Sequence, residues 1–243
     1  MSQRIWLRHL WSHEALPHRV FTRVVNAGLR RVPFELKYGV GQRLRRRHPP
    51  YSLLREGSVV VQIGAPADTL HSGRSRAMHF ALLVGSTGRV VVIEPDPRSA
   101  QELERVARAQ GIESLRVSNC GAWKEATKIV LFVDDAHPAT NFTEGSKDYD
   151  EARMRDYRRV EMDVDTVDNI VASHGLQRID GVSITTNGAE REILEGMKES
   201  MRSLSFISLA RTGEGYDELM AEYGFERIAF DDRGFTYRPV RPA

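Results

Sequence analysis

Apolar and polar positions alternate in regular blocks through most of the chain after residue 57. Short runs rich in β-branched residues predict strands at Ser58–Ile63, Arg89–Ile93, Leu115–Ser118, Thr127–Val133, Gly181–Ile184 and Ser205–Ala210. Apolar residues spaced three and four apart predict helices at Ser75–Val84, Ser99–Gln110, Val164–His174, Ala189–Met201 and Tyr216–Tyr223. Near the C-terminal end, Arg227–Phe230 and Phe235–Arg238 flank a turn and predict a hairpin.

This order of elements predicts the fold class. Strands separated by helices require right-handed crossovers, which produce a parallel sheet covered by helices on both faces. The final hairpin adds an antiparallel edge. We therefore expect an α/β fold with a Rossmann-like, mostly parallel seven-stranded sheet and an antiparallel C-terminal hairpin. The polar stretch Asp134–Arg159 is expected to form a loop or lid over the strand ends.

The first fifty residues differ from the rest in pattern and in charge. Two short amphipathic helices are predicted, one at Trp6–Trp11 and one at Val20–Leu29. Residues 1–50 carry eleven Arg and Lys side chains and two acids, a net of +9, which leaves −7 for the rest of a chain whose total is +2. We expect a basic helical arm over residues 1–50 and an α/β domain over residues 51–243.

The role of the arm has several open interpretations. Its arginines either stay solvated and pair with the acidic body, or they contact an anionic surface such as membrane headgroups or a phosphorylated substrate. Nucleic acid is a weaker candidate, because no recognised reading motif accompanies the charge. The sequence leaves oligomer formation open.

Composition and the absence of certain motifs argue against several other classes of protein. The single cysteine, Cys120, cannot form an internal disulfide, and no apolar run reaches the length of a membrane-spanning helix. The N-terminal residues lack the apolar core of a secretory signal, so we expect a cytoplasmic protein, with peripheral membrane contact through the arm as an option. No His/Cys cluster has zinc spacing, so no metal is expected, and the absence of GxxxxGK[ST] disfavours a P-loop phosphotransferase.

Two features on consecutive strands predict a cofactor cleft. The strand Val59–Ile63 is followed by Gly64, and Glu94 directly follows the strand Arg89–Ile93. In such sheets ligands bind beyond the carboxyl ends of the strands, where glycine lets the backbone approach and an acid accepts the two ribose hydroxyls. A nucleotide-type cofactor is therefore expected here.

These residues lie in a longer stretch that resembles a known family. Gly85–Pro97 resembles the "GxTGRVxxxEPxP" segment of FkbM-type S-adenosylmethionine (SAM)-dependent methyltransferases, and Asn119–Ala122 is similar to their "NAAV" turn. Thr166–Ile170 resembles "TLDDLL", and Ile179–Glu190 resembles "IDLLKIDVEGAE". Order and spacing agree over roughly residues 57–238.

The resemblance implies a class I methyltransferase fold, SAM as the cofactor, and O-methylation of a sugar, glycolipid or secondary metabolite. The expected partner is therefore a small-molecule or glycan acceptor, whose identity the sequence does not give. The candidate cofactor-binding residues are Gly64, Ala65, Asp68, Gly73, Glu94, Pro95, Asn119, Cys120 and Gly121.

The chain departs from the family pattern at three acids. The acid of "VDxGANxG" is replaced by Gln62, the next glycine is delayed to Gly73, and Asp68 is a candidate substitute for the acid. In "IDVEGAE" the aspartate is Thr185 and the glutamate is Asn187. The departures support an alternative, a catalytically degenerate binding or scaffold module. An NAD-type oxidoreductase is disfavoured by the missing GxGxxG spacing.

Methylation of an alcohol benefits from a base, since the hydroxyl proton must leave. The residues predicted to take part in catalysis are Glu190, Asn187, Thr185 and His137. Asp135 and His79 are further candidates for the base, and the sequence does not select among them. Thr185, Thr186 and Asn187 are uncharged groups that can orient a hydroxyl. Cys120 is expected to be a small buried residue beside the cofactor.

Overall fold

The computed structural model describes residues 28, 31–134, 141–144, 157–210, 215–231 and 233–240. The two helices predicted before residue 30 lie outside these ranges, apart from Gly28. Within the described part of the chain, no helix is both long enough and apolar enough to span a bilayer.

Within the described ranges, seven strands form the main sheet. In chain order they are β1 (Val59–Ile63), β2 (Arg89–Ile93), β3 (Leu115–Ser118), β8 (Gly181–Ile184), β9 (Phe206–Leu209), β10 (Phe225–Asp231) and β11 (Gly234–Pro239). Their order across the sheet is β10-β11-β9-β8-β1-β2-β3. The five strands from β9 to β3 are parallel, whereas β11 runs antiparallel to both its neighbours. The predicted mostly parallel sheet with an antiparallel terminal hairpin is confirmed.

Helices cover both faces of this sheet. They are α1 (Phe34–Arg45), α2 (Ala67–His71), α3 (Arg76–Val84), α4 (Pro97–Ala109), α5 (Val167–Ser173), α6 (Glu190–Glu195), α7 (Lys198–Met201) and α8 (Tyr216–Glu222), with a 3₁₀ turn at Tyr51–Leu53. The sequence placed the start of α4 at Ser99. The helix begins two residues earlier because the Asp96 carboxylate accepts the N–H groups of Arg98 and Ser99, and Pro97 occupies the first turn.

A second sheet stands beside the carboxyl ends of the main sheet. It contains β4 (Gly121–Ala122), β5 (Thr127–Val133), β6 (Phe142–Thr143) and β7 (Arg158–Asp165), in the order β4-β7-β5-β6. The predicted lid Asp134–Arg159 is therefore wrong in part, because it contains β6 and the beginning of β7.

The predicted helix Val164–His174 also begins too early. Val164 pairs with Thr127 in the second sheet, and Thr166 caps α5 by accepting the N–H of Asn169. The predicted helix Ala189–Met201 is broken in two at Gly196. A Cβ on Gly196 would lie 2.0 Å from the carbonyl oxygen of Trp123, so only glycine fits this approach of the backbone to β4.

Two apolar layers pack against the main sheet. Val61 and Ile63 of β1 face one layer together with residues of α5 to α8, whereas Val60 faces the other with residues of α1, α3 and α4. This alternation follows from the two-residue period of a strand. Helix α1 belongs to the segment assigned to the basic arm, and it packs on the domain through Tyr38, which is fully buried.

Candidate active site

A cleft opens where the carboxyl ends of the main strands meet the second sheet. It contains about 620 Å³ of space, including the part open to solvent. The main sheet contributes Gly64, Glu94, Pro95, Thr185, Thr186 and Asn187, and the second sheet contributes Gly121, Ala122, Ile129, Leu131, Thr143 and Met162. Strand order reverses at β1, which has β2 on one side and β8 on the other. Ligands of open α/β sheets bind at such a point.

Glu94 lies at the end of β2 on the floor of this cleft. Its Oε2 accepts the N–H of Ala65 at 2.5 Å and its Oε1 accepts the N–H of Asp96 at 2.9 Å. Burial raises the pKa of Glu94 to about 7, against the opposing effect of these two hydrogen bonds. Each carboxylate oxygen has a second lone pair, so the group fits the two hydroxyls of a ribose.

Gly64 makes the closest backbone approach in the cleft. Its φ is +80°, and an added Cβ would lie 2.4 Å from the carbonyl oxygen of Thr185. Its N–H donates to the carbonyl of Ile93 at 2.9 Å, which links the ends of β1 and β2. The backbone of a cofactor loop can adopt this conformation without strain only at glycine.

The remaining cofactor candidates have other positions. The N–H of Ala65 donates to the Glu94 carboxylate, and Asn119 donates through Nδ2 to the backbone carbonyls of Glu94 and Pro95 at 2.9 and 3.2 Å. Both residues therefore help to position Glu94, but neither lines the cleft. The half-buried Cys120 also lies off the cleft, and burial raises the pKa of its thiol to about 11.

Asp68 and Gly73 are the two candidates in the long loop after β1. Asp68 lies in the first turn of α2 and accepts the N–H of Thr69 at 2.8 Å. Gly73 packs against the side chain of Lys37 on α1, outside the cleft lining. Neither residue lines the cleft, although the charge of Asp68 contributes to the raised pKa of Glu94.

Two of the three departures from the family pattern contact each other. Gln62 donates through Nε2 to Thr185 Oγ1 at 2.9 Å and to the Gly64 carbonyl at 2.8 Å, and Thr185 Oγ1 lies 2.7 Å from the same carbonyl. Gln62 and Thr185 therefore form one neutral hydrogen-bonded pair beneath Gly64. Sequence reasoning treated the two replacements as separate losses, because the residues are 123 positions apart.

Glu190 is buried behind the cleft wall. Its Oε1 accepts the hydroxyl of Thr186 at 3.0 Å and the N–H of Gly188 at 3.3 Å, and its Oε2 accepts the Tyr216 hydroxyl at 3.1 Å. Burial raises the pKa of Glu190 above its ordinary value. Glu190 does not line the cleft, but Thr186 does. Tyr216 was missed by the sequence analysis, since its place in helix α8 gives no local signal.

Asn187 joins the two sheets across the cleft. Its Nδ2 donates to the Asn141 carbonyl at 2.8 Å, and Asn141 precedes β6. Of the other candidates for the base, His137 and Asp135 lie outside the described residues. His79 is fully buried in the α1–α3 layer, with Nε2 3.1 Å from the Gly73 carbonyl, and it does not line the cleft.

The described residues contain no group of three or more His, Cys, Asp or Glu side chains that could hold a metal ion. The cleft instead offers a buried carboxylate, a glycine turn and hydroxyl groups. This set can bind a nucleoside and orient a small acceptor beside it.

The sheet order and the position of the cleft define the class I methyltransferase fold. A profile of the methyltransferase FkbM domain matches residues 62–235. The chain therefore belongs to the FkbM methyltransferase family.

A search of curated proteins found no significant match. Among solved structures, the chain is similar to a methyltransferase FkbM from Methylobacillus flagellatus KT, with 16% identity, a TM-score of 0.46, and coverage of 79% of this chain and 46% of that one. It is also similar to fibrillarin of Aeropyrum pernix with natively bound SAM (14% identity, TM-score 0.43, coverage 83% and 74%). A methyltransferase from Geobacter sulfurreducens gives 18% identity, a TM-score of 0.43, and coverage of 99% and 98%. The chain thus spans less than half the length of the first of these.

Proposed function

We propose that the protein transfers the methyl group of SAM to a hydroxyl group of a small molecule or glycan. The observation that carries this proposal is the hydrogen bond from Thr186, in the cleft wall, to the buried carboxylate of Glu190. A hydroxyl at the cleft surface that is bonded to a buried base can accept a proton from an alcohol and pass its own proton inward.

The residues that would hold SAM are those at the carboxyl ends of β1 and β2. Glu94 would accept the ribose hydroxyls, while the backbone at Gly64 and the small residue Gly121 leave room for the nucleoside. SAM, when bound, supplies an electrophilic methyl group, whose bond to sulfur breaks as its bond to the acceptor oxygen forms.

The proposed proton path has two steps that occur together. The acceptor hydroxyl donates its proton to Thr186 Oγ1, and Thr186 passes its own proton to Glu190 Oε1. Because burial raises the pKa of Glu190, its carboxylate takes up a proton more readily than an exposed one. Tyr216 and the Gly188 N–H stabilise the carboxylate before transfer.

The second sheet supplies the opposite wall. Ile129, Leu131 and Met162 give it an apolar surface, and Asn187 together with Asn141 provides polar groups at the edge. An apolar wall with a few polar groups suits the face of a sugar ring or a carbocycle, and it excludes water from the reacting oxygen.

The test compares Thr186→Val with the wild type in a SAM-dependent assay over panels of hydroxyl, amine and thiol acceptors. Valine keeps the shape and removes the relay, so kcat for a hydroxyl acceptor should fall by about 10²-fold while the dissociation constant for S-adenosylhomocysteine stays the same. Thr143→Val is the matched control, since Thr143 also lines the cleft and has no bond to Glu190. Methylation confined to amines or thiols, or equal rates in the two variants, would contradict the proposal.

The second candidate function is a binding or scaffold module without catalysis. The neutral Gln62–Thr185 pair, in place of two acids, is the observation that favours it. A folded wild-type chain that binds neither SAM nor S-adenosylhomocysteine would support this reading. Any methylated product that depends on Thr186 would exclude it.

A further inference from the structure

Helix α1 presents an apolar stripe to solvent. Leu36, Val40 and Leu44 follow one another at four-residue intervals and are 60%, 49% and 69% exposed. Side chains four apart on a helix lie on one face, so the three form a continuous aliphatic ridge. None of the three residues lines the cleft.

The orientation of α1 is fixed by its other face. Tyr38 is fully buried and donates through its hydroxyl to the Leu70 carbonyl at 2.9 Å, and Lys37 Nζ donates to the His71 carbonyl at 3.0 Å. Tyr38 also stacks on the ring of Phe34. The ridge is therefore held on the outer surface by packing on the opposite side of the same helix.

Exposed arginines surround the ridge. Arg43 lies on α1, Arg46 and Arg47 follow it, and Arg31 precedes it, and all four are exposed. Glu35 is the single acid between residues 31 and 50. A helix with an aliphatic face and flanking arginines has the composition of an interfacial helix, in which arginine stems extend to lipid phosphates.

We propose that α1 docks the protein onto an anionic lipid bilayer, with Leu36, Val40 and Leu44 inserted at the headgroup boundary. The charge favours this partner over a second copy, because a two-fold interface between two ridges would place the same arginines opposite one another. Three side chains also fall well short of the roughly 800 Å² per partner that a stable interface buries. Trp6 and Trp11, in the predicted basic arm, are residue types that favour the same boundary.

The test is co-sedimentation of the full chain with vesicles of phosphatidylcholine alone or with about 30% phosphatidylglycerol. Binding should require the anionic lipid and weaken as salt rises. The triple variant Leu36→Ser, Val40→Ser, Leu44→Ser should lower the partition coefficient by at least about tenfold, because burial of three aliphatic side chains is lost.

A charge variant and its matched control distinguish vesicle binding through α1 from binding through other parts of the chain. Arg43→Glu with Arg46→Glu should also lower vesicle binding by at least about tenfold. Arg89→Glu with Arg108→Glu makes the same charge change at exposed positions on other elements, and it should keep most of the binding.

The outcomes are distinct. Binding that stays equal in the α1 variants would overturn the proposal by assigning the contact to another part of the chain. Absence of vesicle binding would also overturn it. In that case, light scattering that shows a dimer dissociated by the serine variant would identify a second copy as the occupant. A large fall in the melting temperature of the monomeric serine variant would instead identify a segment of the same chain.

Discussion

The raised pKa of the buried Glu94 predicts how cofactor affinity varies with pH. Its pKa is raised to about 7, and only the ionised form offers both oxygens as acceptors to ribose hydroxyls. With that pKa, about one-tenth of the protein carries ionised Glu94 near pH 6 and about nine-tenths near pH 8. The dissociation constant for S-adenosylhomocysteine should therefore be about tenfold higher near pH 6 than near pH 8.

The assay is isothermal titration of the wild type and of Glu94→Gln across this pH range. The variant cannot ionise, and its amide leaves one of the N–H groups of Ala65 and Asp96 without an acceptor. Its affinity near pH 8 should fall by roughly 30-fold, equivalent to about 2 kcal/mol for a lost charge-assisted hydrogen bond, and should not vary with pH. Melting temperatures check that the variant is folded.

Two results would refute the reasoning. If the wild-type affinity is the same near pH 6 and pH 8, Glu94 does not bind the ligand as a carboxylate with a raised pKa. If Glu94→Gln keeps the pH dependence of the wild type, another titrating group controls affinity.

Three further predictions concern stability. The folded-state pKa of Glu94 exceeds its ordinary value of 4.5, so its contribution to the free energy of unfolding is full below pH 4.5 and is lost as pH rises through about 7. Between pH 5 and pH 8, urea unfolding should therefore show that Glu94→Gln loses about 2.5 kcal/mol less free energy of unfolding than the wild type. Equal losses in the two proteins would contradict this prediction. Arg76→Met should lower the free energy of unfolding by about 3 kcal/mol or more by leaving the Asp231 carboxylate unpaired, and a neutral result would refute a stabilising pair. Gly196→Ala should destabilise the protein by several kcal/mol, because the added Cβ would collide with the Trp123 carbonyl. Gly39→Ala, which has open space around it, should stabilise the protein by up to about 1 kcal/mol in thermal unfolding. A similar effect at both glycines would contradict the steric argument.

The main sheet could be predicted because its signals are local. Each of β1 and β2 is a continuous β-branched run, and Glu94 follows its strand directly, so Gly64 and Glu94 were predicted to share one cleft. The structure places both in its lining.

The second sheet could not be predicted in the same way. β7 pairs along almost its whole length with β5, which precedes the Asp134–Arg159 stretch, and β6 contributes only two residues. β7 itself has a local signal, since Val160, Met162 and Val164 alternate with charged residues in Arg158–Asp165, but the sequence analysis assigned the start of this run to a polar loop. Strand pairing over such a separation is a tertiary property that no short window records.

The contact between Gln62 and Thr185 could not be predicted from the sequence for the same reason. Sequence comparison with the family pattern marks each as a lost acid, whereas their contact makes them one unit that supports the Gly64 carbonyl. The signal that could have found it was the parallel pairing of β1 with β8, which aligns the ends of the two strands.

The ion pair between Arg76 and Asp231 has a consequence for synthesis of the chain. Arg76 is almost fully buried, its guanidinium also donates to Ser183 and Ser208, and Asp231 ends β10, 155 residues later. A growing polypeptide that has made α3 and β1 still lacks the counter-charge for a side chain that must leave water. The partners of Arg76, in the N-terminal half, are therefore complete only after β10 has been synthesised.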